Sequence, residues 1–149
     1  MNWSALHKEA LVADCHNDSI VAHVRRGNLS VAGGARDVSR RGTIEFLRGP
    51  GGRRPGAADI QLNLPKMAEG GIDLAFFSID VTVALKNRLA YALDGFGGLM
   101  NDLEEADAQV VFVRRSDDVA VAKERGVPAI LLAVEHADGT EGSLGVLRA

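Results

Sequence analysis

The chain contains few cysteine, proline and aromatic residues: its 149 residues include one Cys, four Pro, one Trp, one Tyr and five Phe. A single cysteine, Cys15, cannot form an internal disulfide, which excludes a small disulfide scaffold. No apolar run approaches the ~20 residues that cross a bilayer. The first ten residues carry Lys8 and Glu9 where a signal peptide has its apolar core. We therefore expect a cytoplasmic protein with no membrane partner.

The bulk composition is that of a globular domain. Hydrophobic residues make up 46% and charged residues 25% of the chain, and the formal net charge is −3. These values exclude a disordered chain and a collagen-like repeat. The negative net charge argues against nucleic acid as a partner of the whole chain.

Four nearly continuous apolar stretches predict buried parallel strands, because a strand covered on both faces has no polar alternation. They cover residues 10–15, 72–81, 109–113 and 127–134. Helical patterns lie between them. This alternation predicts βαβ units on a parallel sheet.

The segments between the predicted strands carry helix signals. Pro65 predicts the start of a short helix, and the pair Gly70-Gly71 predicts its end. An apolar stripe over residues 85–106 predicts a longer helix, and its interior glycines, each costing up to ~1 kcal/mol, are expected to break it. These are Gly95, Gly97 and Gly98. Ser116 and Gly126 predict the N-cap and C-cap of a third helix.

Residues 25–56 form an insertion of different composition. The segment holds eight arginines against two acidic residues, with eight glycines and two prolines. An anion-binding or nucleic-acid-binding loop is one interpretation. Phe46 is the only aromatic residue in the segment that could stack on a base, so an exposed, solvated loop is favoured.

A histidine and an aspartate that follow the first predicted strand are candidates for metal binding. His16 and Asp18 are two positions apart, so their side chains project to the same side of a strand. An imidazole nitrogen and a carboxylate oxygen are ligands that zinc takes in hydrolytic sites. Asp14 shares this parity and is placed to orient His16. The alternative is that His16 and Asp18 only cap a βα loop.

Glu135 is a third candidate, because it closes the apolar run 127–134, where an unpaired buried carboxylate is costly. Active sites gather at the carboxyl ends of parallel strands, and a glutamate there can bridge two metal ions. The alternatives are a paired core acid or one turned to solvent. His136, which follows, is either a substrate contact or an ordinary loop histidine.

Several strings together resemble a known family. VADCHNDSI, residues 12–20, resembles the first strand of the membrane (renal) dipeptidase family, peptidase family M19, whose members carry D-x-H-N-D there. QLNLPKMAEGGIDLAFFSIDV, residues 61–81, resembles the family's second-strand region. Glu135 with SLGVLR, residues 143–148, resembles the segment around its metal-bridging glutamate. The insertion at 25–56 corresponds to the family's long loop after the first strand.

The resemblance implies a TIM-like (β/α)8 barrel, of which residues 1–149 would form a single partial domain. A complete barrel needs ~250 residues, so four parallel strands would make about its first half. It also implies a zinc metallodipeptidase that hydrolyses dipeptides with a water activated by two zinc ions. Carried over by position, His16 and Asp18 would ligate one zinc. Glu135 would bridge both zinc ions and act in catalysis.

The chain departs from the family pattern in two respects. His136 and Ala137 follow Glu135 where the family has small residues, often Gly-Gly and then His. The family's two other zinc-binding histidines, its substrate arginine and a late aspartate correspond to positions beyond Ala149. An active dipeptidase, a non-catalytic remnant and an anion-binding module therefore remain as hypotheses. A half-barrel exposes a strand edge and an apolar interior, so we expect the chain alone to be unstable, to self-associate or to require the missing half.

Overall fold

The structure is a computed structural model that describes residues 2–21, 30–33, 60–84 and 86–149. The arginines and Phe46 of the insertion predicted at 25–56 lie outside the described residues, so its interpretation as a loop stays a prediction. The described chain is α/β, with a four-stranded parallel sheet and helices, which confirms the predicted fold class.

The elements alternate as the sequence predicts. The strands are β1 (Ala13–Asn17), β2 (Leu74–Asp80), β3 (Val111–Phe112) and β4 (Ala129–Glu135). The helices whose bounds both lie within the described residues are α1 (Trp3–Glu9), α2 (Leu64–Gly70), α3 (Arg88–Glu105), α4 (Ser116–Arg125) and α5 (Leu144–Arg148). Short 3-10 turns follow β2 and β4, at Val81–Val83 and Ala137–Thr140. None of the helices in the described ranges is both long and apolar enough to cross a bilayer.

The strand order is β1-β2-β4-β3, with every neighbouring pair parallel. Three strands, β1, β2 and β4, therefore lie side by side in chain order, as the strands of a barrel do. β3 is shorter than the predicted 109–113 and pairs only with the first two residues of β4, on its outer edge. The sheet thus consists of three full neighbouring strands, β1, β2 and β4, and the short strand β3 at the outer edge. In a barrel whose four strands followed chain order, β3 would lie between β2 and β4.

The core lies on both faces of the sheet. On one face, Phe77 and Ile79 of β2 pack in a large cluster that includes Leu99 of α3. On the other face, Leu74 packs in a smaller cluster with Ala122 of α4. The chain crosses outward from β2 to β3 through α3 and returns to β4 through α4. Right-handed crossovers that run in opposite directions across a sheet place their helices on opposite faces. This rule is consistent with α3 and α4 packing in different clusters.

The helix ends are partly as predicted. Gly71 and Gly126 end α2 and α4 in the left-handed conformation, both at φ 65°. Ser116 is the first residue of α4 and Arg115 its N-cap, so the predicted cap is wrong by one position. The Asp118 carboxylate accepts hydrogen bonds from the Arg114 and Arg115 N–H groups at 2.8 and 2.9 Å, and these bonds lower its pKa.

The predicted break in α3 is wrong, because the helix is continuous from Arg88 to Glu105. Gly95 and Gly98 are buried, so they lie on the packed side of the helix. Burial of the surrounding apolar side chains stabilises the helix by more than the ~1 kcal/mol that each interior glycine costs.

One carboxylate fixes the start of β1 against its neighbours. Asp73 Oδ2 accepts hydrogen bonds from the Val12 N–H and from Lys123 Nζ, both at 2.9 Å. Lys123 Nζ also donates to the Ala10 carbonyl at 2.8 Å. Burial raises the pKa of Asp73, but these hydrogen bonds and the Lys123 charge outweigh it and lower the pKa overall. The contacts join β1, β2 and α4 at the amino end of the sheet.

Candidate metal centre

An irregularity in β1 sets the direction of the His16 side chain. Asp14 pairs with Ala75 and Asn17 with Phe77, so three steps along β1 correspond to two along β2. A bulge of this kind redirects the side chains beside it and is common next to active sites. The His16 side chain is about half exposed, at 51%. It is therefore accessible at the carboxyl edge of the sheet.

The two ring nitrogens of His16 have different neighbours. Nδ1 lies 3.4 Å from the hydroxyl of Ser78, a buried residue of β2. A hydrogen bond at Nδ1 orients the ring and leaves Nε2 for a ligand. The predicted role of Asp14 is wrong, because Asp14 Oδ1 accepts from the backbone N–H of His16 at 3.1 Å instead. The bulge removes the shared parity on which that prediction depended.

The structure brings the three predicted metal-binding residues together. His16 Nε2 lies 3.8 Å from Asp18 Oδ1 and 3.6 Å from Glu135 Oε2. One donor atom from each residue lies within 4.8 Å of the other two. Glu135 is more than a hundred positions from the other two, and the β2–β4 pairing closes that distance.

Glu135 is neither a paired core acid nor fully exposed, since 35% of its side chain is accessible. Its second oxygen, Oε1, lies 3.6 Å from Nε2 of His136. The same nitrogen lies 3.9 Å from Oδ1 of Asp80, the last residue of β2, which is paired in register with Glu135. Ser78 and Asp80 are neighbours of the site that the sequence reasoning missed. Asp80 closes an apolar strand as Glu135 does, and that signal could have found it.

The comparisons with known proteins place the chain in a family. The sequence model of peptidase family M19, described as membrane dipeptidase, matches residues 1–149. The chain belongs to this family. The M19 chain is also similar to the crystal structure of dipeptidase AC, a metallopeptidase of family M19, with a TM-score of 0.56 and 21% sequence identity. A search of curated proteins finds no match.

The structural match covers 87% of this M19 chain and 36% of the dipeptidase chain. The chain therefore spans about a third of the length of the protein it resembles. At this level of identity the likeness shows the fold, a partial TIM-like barrel.

The donor set of the M19 chain fits a divalent cation. Zinc takes imidazole and carboxylate ligands at about 2.0–2.2 Å in tetrahedral sites, which places two ligand atoms about 3.3 Å apart. The separations of 3.6 and 3.8 Å around His16 Nε2 are within a few tenths of an ångström of that value. Two acidic side chains at one site also suit a cation, because a bound cation balances the charge of carboxylate ligands.

A surface cavity of about 600 Å³ lies beside the segment that follows β4. Lys86, Asn87 and Arg88 line one side, and residues from the segment 137–142 line the other. The lining includes both basic and acidic side chains, and Arg88 forms an ion pair with Asp138 at 3.7 Å. His16, Asp18 and Glu135 are not among its lining residues, so the candidate metal centre lies outside the cavity.

Proposed function

We propose that the protein is a metal-dependent dipeptidase that uses zinc to hydrolyse the peptide bond of a dipeptide. The observation that carries the proposal is the convergence of His16, Asp18 and Glu135 within 4.8 Å. Membership of family M19 supports the reaction class. Because the chain spans 36% of the related structure, the activity of the whole protein is part of the proposal.

In this proposal each residue has a defined task. His16 presents Nε2 to the cation while the Ser78 hydroxyl holds the other side of its ring. Asp18 and Glu135 supply the negative charge that a divalent cation requires at the site. When bound, the cation polarises the peptide carbonyl and lowers the pKa of water for attack on it. The partial exposure of Glu135 leaves the edge of the sheet open to a small substrate.

Metal removal and restoration test the proposal. We expect the chain treated with a chelator to lose hydrolysis of dipeptides and to regain it when zinc is added. Replacing Glu135 by Gln preserves shape but removes a charge, and we expect it to lower the zinc-restored rate about 100-fold or more. His7→Ala is the control, because His7 lies on α1 and its ring bonds to the Gly70 carbonyl.

The outcomes separate the hypotheses. Hydrolysis that survives chelation, or a Glu135→Gln variant as active as the parent, would contradict the proposal. Zinc binding at the site without turnover would favour a non-catalytic member of the family instead.

A further inference from the structure

The cavity of about 600 Å³ lies between two segments that follow strands of the sheet. Segment 86–88 leads from β2 into α3, and segment 137–142 follows β4. A volume of this size is typical of sites for small molecules. Ligand sites also gather in the loops that follow parallel strands. The cavity is therefore large enough and suitably placed to hold a small ligand.

The acidic side chains of the cavity are already engaged with the opposite wall. Asp138 Oδ1 lies 3.7 Å from Nη1 of Arg88, so these two charges compensate each other. Glu141 Oε1 accepts from the N–H of Leu89 at 3.3 Å, at the start of α3, where the helix dipole favours an acid. Both contacts join the two walls and hold the cavity in shape.

Lys86 and Asn87 are engaged in no such contact. Among the described residues, neither side chain has a hydrogen-bond or ion-pair partner. The Lys86 ammonium therefore gives the cavity a positive charge without an ion-pair partner, and the Asn87 amide adds hydrogen-bond donors beside it. A carboxylate matches both groups, because it carries a negative charge and accepts hydrogen bonds.

The cavity begins beside the candidate metal centre. Nε2 of His136 lies 3.6 Å from Glu135 Oε1, and the next residue, Ala137, lines the cavity. Ala137 is two residues from Glu135, which corresponds to at most about 7 Å of chain. An extended dipeptide spans a similar length. A substrate at the metal centre therefore has the cavity within reach of its charged groups.

We propose that this cavity binds a carboxylate group of the dipeptide, with Lys86 as the balancing cation and Asn87 as a hydrogen-bond donor. Every dipeptide has a terminal carboxylate, and one with an acidic side chain has a second. The inference rests on the proposed function, because it takes the ligand of the cavity to be the substrate of the metal centre. Lys86 then sets how tightly the substrate binds and which dipeptides are preferred.

Amide NMR of the 149-residue chain with a chelator present tests the cavity without the metal. The probes differ in their carboxylates: glycylglycinamide has none, glycylglycine has the terminal one, and glycylglutamate has two. Glycylglutamine matches glycylglutamate in size. We expect carboxylate-bearing probes to shift the signals of segments 86–88 and 137–142, and glycylglycinamide to leave them unchanged. A response to glycylglycine identifies the terminal carboxylate as the ligand, whereas a response to glycylglutamate but not to glycylglutamine identifies the side chain.

Two variants test the assigned residues. We expect Lys86→Gln to weaken binding of the carboxylate probe about 5-fold or more, because the balancing charge is lost. Asn87→Asp places a negative charge beside the ligand and weakens binding as well, while aspartate tolerates the left-handed backbone at φ 52°. The control Lys8→Gln removes the same charge from an exposed position of α1 and should bind as the parent does.

The outcomes separate this subsite from the proposed function. If glycylglycinamide binds as tightly as the other probes, or if Lys86→Gln binds as the parent does, the subsite is refuted. If no probe shifts these signals while the zinc-loaded chain hydrolyses dipeptides, the subsite is refuted and the proposed function stands. If a carboxylate probe binds in the cavity but zinc restores no hydrolysis, the carboxylate site stands and the proposed function fails.

Discussion

Glu135 and His136 are adjacent in the chain but differ sharply in backbone conformation. Glu135 ends a regular strand, whereas His136 has a positive φ of 74°. A non-glycine residue in such a conformation costs about 1–3 kcal/mol. The residue directly after the candidate ligand Glu135 is therefore held in a destabilising backbone conformation.

A stability prediction follows for His136. We expect His136→Gly to raise the free energy of unfolding of the metal-free chain by about 1 kcal/mol, because glycine adopts this φ without strain. Urea denaturation in the presence of a chelator measures the change. His136→Ala is the matched control, since it removes the imidazole but keeps the strained Cβ. Equal stability of the Gly and Ala variants would show that strain is not the cause.

The three candidate ligands could be predicted from the sequence because each follows or ends an apolar strand. Asp80 also ends an apolar strand and could have been found by the same signal. Ser78 could not, since its role depends on which strands are neighbours. The prediction for Asp14 failed because the alternation of a strand holds only without a bulge, and no local pattern marks the bulge in β1.

At the scale of elements, the turn after β4 is packed tightly against the sheet. A Cβ added to Gly139 would lie 2.7 Å from Cγ1 of Val134, closer than real contacts allow. Gly97, within α3, has nothing within 4 Å of such an atom. The two glycines therefore provide a matched pair.

We expect Gly139→Ala to lower the free energy of unfolding by about 1–3 kcal/mol, because the added methyl overpacks the turn. Gly97→Ala should raise it by about 0.5–1 kcal/mol, because alanine favours the helix interior. Chemical denaturation of both variants and the parent measures the difference. Changes of the same sign in both variants would contradict this packing.

The contacts of Asp73 predict a dependence of stability on pH. Its pKa is lowered in the folded state, so its contribution is fully present above the unfolded pKa of about 3.9. The contribution is lost as the pH falls through the folded pKa. We expect Asp73→Asn to cost about 1 kcal/mol at pH 7 and progressively less below about pH 4.

Urea denaturation of Asp73→Asn and the parent between pH 2 and pH 7 checks this prediction. Glu124→Gln, at an exposed position of α4, serves as the control for loss of one acidic charge. A difference between parent and Asp73→Asn that stays constant over the whole range would be inconsistent with a lowered pKa at Asp73.

The existence of most helices and strands could be predicted from the sequence. Which strands lie side by side in the sheet could not. Apolar runs reveal strands, and Gly71 and Gly126 reveal helix ends, because these signals are local. The edge position of β3 depends on crossovers through α3 and α4 that no local pattern encodes. The continuity of α3 depends on tertiary packing, which outweighed the preference of its glycines.

The whole molecule exposes apolar side chains at both ends of the described chain. Trp3 of α1 is 70% exposed, and Leu144 and Leu147 of α5 are 80% and 69% exposed. Neighbouring exposed apolar residues of this size favour association. Family membership was predictable at this scale, because its motifs are spread over the whole chain.

We expect the 149-residue chain to self-associate as its concentration rises, and the double variant Leu144→Lys, Leu147→Lys to do so less. Sedimentation velocity over a range of concentrations measures the association. Met100→Lys, at an exposed apolar position of α3, is the control and should behave as the parent. A parent that remains monomeric at every concentration would rule this surface out as a contact.

We propose above all that His16, Asp18 and Glu135 bind one divalent cation at the carboxyl edge of the sheet. An anomalous difference map at the zinc edge, from crystals of the chain grown with zinc, would locate the cation. We expect a peak about 2.0–2.2 Å from His16 Nε2 and from a carboxylate oxygen of both Asp18 and Glu135. A zinc peak elsewhere with none at these three residues would contradict it.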